Sequence, residues 1–172
     1  MEMTFLDFFS GIGGFRKGLE LCGMRCIGHC EIDKYADRSY RAIFDVKEHE
    51  WYSNDIRQIS PGELPRANLW AGGFPCQDIS CAGRIAGLNG ERSGLFFEVV
   101  RLLEGTKAED RPKWIILENV KNLLSVNRGF DFATVLHSLA SLGYNIEYGL
   151  FNSKLFGVPQ HRERVYIVAY RH

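Results

Sequence analysis

The sequence predicts an α/β domain, a mostly parallel sheet with helices on both faces and an antiparallel strand at its C-terminal end. Three observations predict it. Short apolar runs of strand length alternate with segments of helical period, the pattern of βαβ units. The unusual residues, glycines, acids and a cysteine preceded by proline, fall just past the ends of those runs rather than at random. The length, 172 residues, suits one domain with its own core, spanning 1–172.

The elements follow in order. Thr4 to Phe8 reads as a buried strand. A helix from about Gly13 carries Phe15, Leu19 and Cys22 on one face and ends at Gly23. Cys26 to His29 is a second strand, closing at Glu31, and Tyr35 to Phe44 a second helix. A polar stretch with "SNDIRQIS" leads to the strand Leu69 to Ala71. Pro75 cannot sit inside a central strand, because it lacks a backbone donor, so Cys76 rides on the loop that follows. From Pro75 to Gly94 there is little periodicity, and glycines stand at 83, 87, 90 and 94. A structureless stretch of about 20 residues is more often functional than not. Leu95, Phe96, Val99, Leu102 and Leu103 mark a helix, and "WIILENV" a fully buried strand. Phe132 to Leu142 is a further helix, with Asp131 as N-cap and Gly143 as C-cap. Two strands close the chain, around Tyr144 to Phe151 and Val165 to Tyr170.

Composition bounds the function. Apolar residues make up 45% and charged residues 24%, ordinary for a globular protein. Lys plus Arg equals Asp plus Glu at 21 each, so charge alone gives no support for nucleic-acid binding. The start "MEMTFLDFF" has no basic region or cleavage site, and no apolar run approaches the roughly 20 residues of a membrane span. A cytoplasmic protein with reduced cysteines is expected. Cys22, Cys26 and Cys30 recur at a spacing of four. That is not the two-residue gap of common zinc sites, so burial is favoured over metal.

In parallel sheets, ligands bind beyond the carboxyl ends of the strands. "DFFSGIGGF", Glu31, "NDI", "GGFPCQ" and "ENV" follow the first five strands in turn, which gathers the chemistry at one edge. "SGIGG" lets a ligand approach the backbone at a helix start. Glu31, 20 residues beyond Gly11, can accept both hydroxyls of a ribose. Asp55 could accept from an adenine amino group. The dinucleotide pattern would place glycine where Arg16 stands, so a nicotinamide cofactor fits poorly.

"DFFSGIGGF", "EIDKYA", "NDI", "GFPCQDIS", "RSGLFFEVVR", "ENV" and "PQHRERVYIV" occur in that order over nearly the whole chain. Together they resemble the C5-cytosine DNA methyltransferases. The resemblance implies the Rossmann-like methyltransferase fold, S-adenosylmethionine as cofactor, no metal, and double-stranded DNA carrying a flipped-out cytosine as substrate. It implies that Asp7, Phe9, Gly11, Gly13, Gly14, Glu31, Ile32, Asp55 and Leu95 bind the cofactor. Cys76 would add to C6 of the base, making C5 a nucleophile. Its thiol, of ordinary pKa ~8.5, needs an electropositive setting to ionise. Glu118 would hold ring N3 and the exocyclic amine, a role that needs a proton on the carboxyl group. Asn119 would brace that turn. Gln160, Arg162 and Arg164 would orient the base, its phosphate and the loop, with Gln77 and Ser80 on the DNA. A base inside the stack is out of reach of the thiol, so flipping is required.

Members of that family continue into a target-recognition domain and a closing segment that this sequence lacks. The chain therefore reads as a catalytic half, a subunit needing a second chain or a truncated form, of bacterial or phage type and associated with the nucleoid. RNA cytosine methylation by the related tRNA-directed branch, and a non-catalytic fragment, are the competing readings.

Overall fold

The computed structural model describes residues 2–75 and 94–172. Cys76, Gln77, Ser80 and Cys81 lie outside the described residues, as does most of the glycine-bearing loop.

Seven strands are described: β1 (Thr4–Phe8), β2 (Arg25–Cys30), β3 (Trp51–Ser53), β4 (Leu69–Gly73), β5 (Trp114–Val120), β6 (Asn145–Asn152) and β7 (Glu163–Tyr170). They form one sheet ordered β3-β2-β1-β4-β5-β7-β6. β1 to β5 are parallel, and β7 runs antiparallel to both β5 and β6. The order reverses at β1, which lies between β2 and β4. That is the point where a doubly wound sheet opens a crevice at its strand ends.

Four helices cover the sheet: α1 (Gly14–Leu21), α2 (Lys34–Ile43), α3 (Leu95–Gly105) and α4 (Phe130–Ser141). Alternation along the strands decides what each face buries. Leu6, Phe8 and Trp70 join Phe96, Leu102, Val135 and Leu139 of α3 and α4 in the larger core. Phe5, Leu69 and Ala71 point the other way, against Phe15 and Leu19 of α1. Phe8 meets Trp70 edge-on at a centroid distance of 5.2 Å. Side chains buried this fully contribute roughly 1.5–3 kcal/mol each. β6 is an edge strand, largely exposed along its length.

The helix ends follow from local chemistry. Asp33 caps α2, its carboxylate accepting from the N–H groups of Tyr35 (2.7 Å) and Ala36 (3.0 Å). Gly23 and Gly143 follow the C-caps of α1 and α4 with φ 79° and 87°, as expected of glycine just past a helix. One expectation is corrected. Asp131 is not the N-cap of α4, which begins at Phe130 after Gly129 (φ 83°). Asp131 is buried in the first turn and accepts from Asn127 Nδ2 at 3.1 Å. Asn127 and Arg128 are also left-handed, at φ 49° and 56°. That reversal sets the helix start earlier than capping chemistry alone implies.

Candidate active site

The chain leaves β1 through Phe9, whose φ of 52° lies in the left-handed region. A residue with a side chain holds that conformation at a cost of about 1–2 kcal/mol. The strain turns the chain sharply, and the Ser10 N–H donates to the Cys30 carbonyl (3.1 Å) while the Gly13 N–H donates to the Ser10 carbonyl (2.8 Å). Glu31, at the end of β2, clamps the turn from outside. Its Oε2 accepts from the Gly11 N–H at 2.7 Å and its Oε1 from the Asp33 N–H at 2.8 Å. One carboxylate thus ties the glycine turn to the start of α2.

Two neighbouring hollows lie at this edge. The smaller, about 220 Å³, has Phe9, Ile32, Pro75 and Leu95 as apolar walls and Glu31, Asn54 and Asp55 as polar ones. The larger, about 560 Å³, is lined by Phe9, Ser10, Gly14, Phe15, Glu118, Arg162 and Tyr166. Phe9 and Gly73 line both. The apolar slot with acids at its rim matches a nucleoside in chemistry, flat and apolar in its base, hydroxylated in its sugar. Gly11 has nothing within 4 Å on the side where a Cβ would stand, so that backbone is open to a ligand.

On the far side, Arg164 Nε donates to Glu118 Oε1 at 2.8 Å, with both side chains about one-fifth exposed. Residues 118 and 164 come from antiparallel neighbours, where Val120 faces Arg164 and Glu118 faces Tyr166. Gly73 makes room for the acid, since a Cβ there would lie 3.0 Å from Glu118 Oε2. Asn119, buried, donates from Nδ2 to the Phe74 carbonyl at 2.8 Å and accepts from the Val120 N–H at 2.8 Å. It braces β5 against the chain leading to Cys76.

The expected residues therefore divide. Phe9, Glu31, Ile32, Asp55 and Leu95 meet at the smaller hollow, Gly14, Glu118 and Arg162 at the larger, with Arg164 paired to Glu118. Gln160 is exposed on the turn before β7 and lines neither; its carbonyl accepts from Ser153 Oγ at 2.7 Å. Asp7 lies beneath the turn with no exposure and lines neither hollow. The Arg16 N–H and the Tyr40 hydroxyl face it without closing a hydrogen bond of good geometry, and burial pushes its pKa well above the ordinary 3.8. Gly13 is required for packing: a Cβ would stand 2.1 Å from Phe44 Cε2. Asp55 lines the slot with its carboxylate held by Arg57, through Nη2 at 2.7 Å and Nε at 2.9 Å, and that hydrogen bonding lowers its pKa.

Ser10, Asn54, Phe15 and Tyr166 also line the hollows. Asn54 and Ser10 sit inside motifs that are legible in sequence, whereas Tyr166 reaches the site only because β7 pairs with β5. Burial pushes the thiols of Cys26 and Cys30 up to about 11 and about 12. Among the described residues no cluster of His, Cys, Asp and Glu could hold a metal ion. Arg16 is buried and structural, donating to Glu50 at 2.8 Å and stacked over the Phe44 ring.

A family model of C-5 cytosine-specific DNA methylases matches residues 3–172. The chain belongs to this family. Among curated relatives, the type II methyltransferase M.BsuFI of Bacillus subtilis is 39% identical over 170 residues, covering 99% of this chain and 40% of that protein. The type II methyltransferase M.HhaI of Haemophilus parahaemolyticus is 36% identical over 169 residues, covering 98% and 49%. The chain thus spans half or less of the length of these relatives. Solved structures share the fold: a Dnmt2 methyltransferase of S. pombe superposes with a TM-score of 0.73 at 22% identity, and a DNMT2 variant of Spodoptera frugiperda with 0.77 at 23%. Each match covers 99% of this chain and 50% of the other.

Proposed function

We propose that this DNA methylase chain is the cofactor-binding and catalytic part of a restriction–modification type C5-cytosine methyltransferase. It uses S-adenosylmethionine and acts through covalent attack by Cys76. The observation that carries the reading is the junction at Phe9 and Gly73. There a slot with apolar walls and Glu31 at its rim adjoins a hollow lined by Glu118, which pairs with Arg164.

In this reading Phe9, Ile32 and Leu95 sandwich the adenine, Glu31 accepts from the ribose hydroxyls, and the open backbone at Gly11 and Gly14 faces the amino-acid portion. When bound, S-adenosylmethionine supplies an electrophilic methyl group. The cytosine, flipped into the larger hollow, meets Glu118 along its N3 edge. With a proton on its carboxyl group, Glu118 donates at N3, where negative charge grows as the Cys76 thiolate bonds to C6. Arg164 holds Glu118 in line and compensates its charge when the proton has moved. After C5 is methylated, the C5 proton passes to water, the C5–H electron pair re-forms the C5–C6 double bond and expels the Cys76 thiolate, and the N3 proton returns to Glu118. Arg162, on the wall, is placed for the phosphate or the base.

Relatives carry as much chain again or more, and we assign duplex recognition to that remainder, in the same or a separate polypeptide. With 21 basic and 21 acidic residues, this part offers little net attraction to phosphates. The test is tritiated-methyl transfer to genomic DNA by the 172-residue chain, alone and co-expressed with a relative's C-terminal half. Transfer only with the second half supports the reading. Site-specific transfer by this chain alone refutes the division of labour, and no transfer from a complex that binds both cofactor and DNA refutes the activity. Such an enzyme works where bacterial or phage DNA lies, in the cytoplasm. No helix among the described residues is long and apolar enough to cross a membrane.

A further inference from the structure

We propose that Arg101, which lines neither hollow, is a positioning residue for the adenine-side wall of the cofactor slot. The proposal deepens the cofactor reading above and rests on it. "RSGLFFEVVR" places Leu95 at the slot, whereas its final arginine stands behind the wall.

Arg101 sits on α3, two turns after Leu95. Its guanidinium uses three donors on three acceptors. Nη2 donates to the Ile56 carbonyl at 3.0 Å, Nη1 to the Ile59 carbonyl at 3.0 Å, and Nε to Glu98 Oε2 at 2.7 Å. Glu98, one turn earlier on the same helix, orients the planar group so that its outer nitrogens face the chain at 56 and 59. Those two carbonyls belong to the short 3-10 turn Ile56–Gln58 and the residue after it. The turn is small: the Gln58 N–H donates to the Asp55 carbonyl (3.0 Å) and the Ile59 N–H to the Ile56 carbonyl (3.3 Å). It carries Asn54, Asp55 and Ile56 into the wall of the slot.

These bonds, and that of the Arg57 N–H to Asp55 Oδ1 at 3.0 Å, run within the turn itself. The rigid fork of arginine, spanning both carbonyls, ties it to a long, well-packed helix. Because Leu95 begins that helix, α3 touches the slot twice: directly through Leu95, and through Arg101 by way of the turn. The two apolar anchors Ile56 and Ile59 are buried and fix the turn's depth. Arg101 fixes the rotation of the turn's backbone, and on that backbone the Arg57 N–H (3.0 Å) and guanidinium hold the Asp55 carboxylate. Lysine, with one nitrogen, does not reproduce the planar fork in which Nη1 and Nη2 meet the two carbonyls separately.

The experiment compares the parent chain, Arg101→Lys and Arg101→Gln in two measurements. The first is amide hydrogen exchange at Gln58 and Ile59. It is expected to rise about tenfold in Arg101→Gln, as for loss of one charge-assisted hydrogen bond, less in Arg101→Lys, while the interior amides of α3 stay protected. The second is calorimetry with S-adenosylhomocysteine and its hypoxanthine counterpart, which lacks the exocyclic amine. Arg101→Gln should weaken the adenine ligand about tenfold and the hypoxanthine ligand much less, eroding the preference between them. Unchanged exchange at both amides overturns the proposal whatever the ligands do. Faster exchange with the preference intact also overturns it, leaving Arg101 a structural tie. A parent chain that does not distinguish the two ligands refutes the adenine role of Asp55, and exchange alone then decides the brace.

Discussion

Replacing Glu31 tests the clamp and the cofactor site at once. Its carboxylate accepts from the Gly11 N–H at 2.7 Å and the Asp33 N–H at 2.8 Å. In Glu31→Ala both donors lose their acceptor. The Asp33 N–H is exposed and regains water, so its loss costs little, whereas the Gly11 N–H is partly buried. A hydrogen bond to a charged group is worth about 1.5–3 kcal/mol when buried; partial exposure takes this to the low end, about 1–1.5 kcal/mol of folding stability. Glu31→Gln gains little over alanine. Its amide has one oxygen for two facing N–H groups, and its NH2 group must then meet the second donor. The proposed ribose contact loses its charged acceptor in both, which should lower S-adenosylhomocysteine affinity a further ten- to a hundredfold, the equivalent of about 1.5–3 kcal/mol. Urea unfolding reads the first effect and calorimetry the second. Unchanged affinity in both variants would move the cofactor site elsewhere, and glutamine restoring full stability would refute the two-donor clamp.

Three further outcomes follow from single contacts. Gly13→Ala puts a Cβ 2.1 Å from Phe44 Cε2 at φ 93° and should destabilise by about 2–4 kcal/mol in urea unfolding, whereas Gly14→Ala, in open space at the first position of α1, should be neutral or stabilising by up to ~1 kcal/mol; equal stabilities would contradict the packing argument. Asp7, its carboxyl pKa raised by burial, contributes stability that is present below about 3.9, the unfolded value, and lost as pH rises through the folded value. Asp7→Asn should therefore gain on the parent chain as pH rises from 4 to 9, and a pH-independent difference would refute a titrating Asp7. Leu155 and Phe156 stand 80% and 67% exposed beside Phe151, an apolar surface that favours self-association; light scattering should show the parent chain associating with concentration and Leu155→Ser/Phe156→Ser less so, and equal association in the two would place the contact elsewhere.

Much of this was legible because strand ends announce themselves. Apolar runs that stop at Asp7-Phe8-Phe9, Glu31, Gly72-Gly73 and Glu118 put their chemistry at one edge in any parallel sheet. What stayed hidden depends on neighbours distant in sequence. Asp7 belongs to the first motif, yet its side chain points under α1 and α2 rather than into the slot. Gly13 is glycine because Phe44, 31 residues on, packs against it. Asp131 looks like a cap by type, but the left-handed run at 127–129 had already begun the helix. Tyr166 and Arg101 act through a strand pairing and a helix-to-turn tie that no local pattern encodes.

The most direct measurement of the central claim is covalent trapping. A duplex in which the target cytosine is 5-fluorocytosine is incubated with S-adenosylmethionine, this chain and the C-terminal half of a relative, and the mixture is run on a denaturing gel. Fluorine at C5 cannot leave as a proton, so the adduct on Cys76 persists. The account predicts a stable protein–DNA band with the parent chain and none with Cys76→Ser. A band that survives that substitution, or one that maps to Cys81, would contradict it.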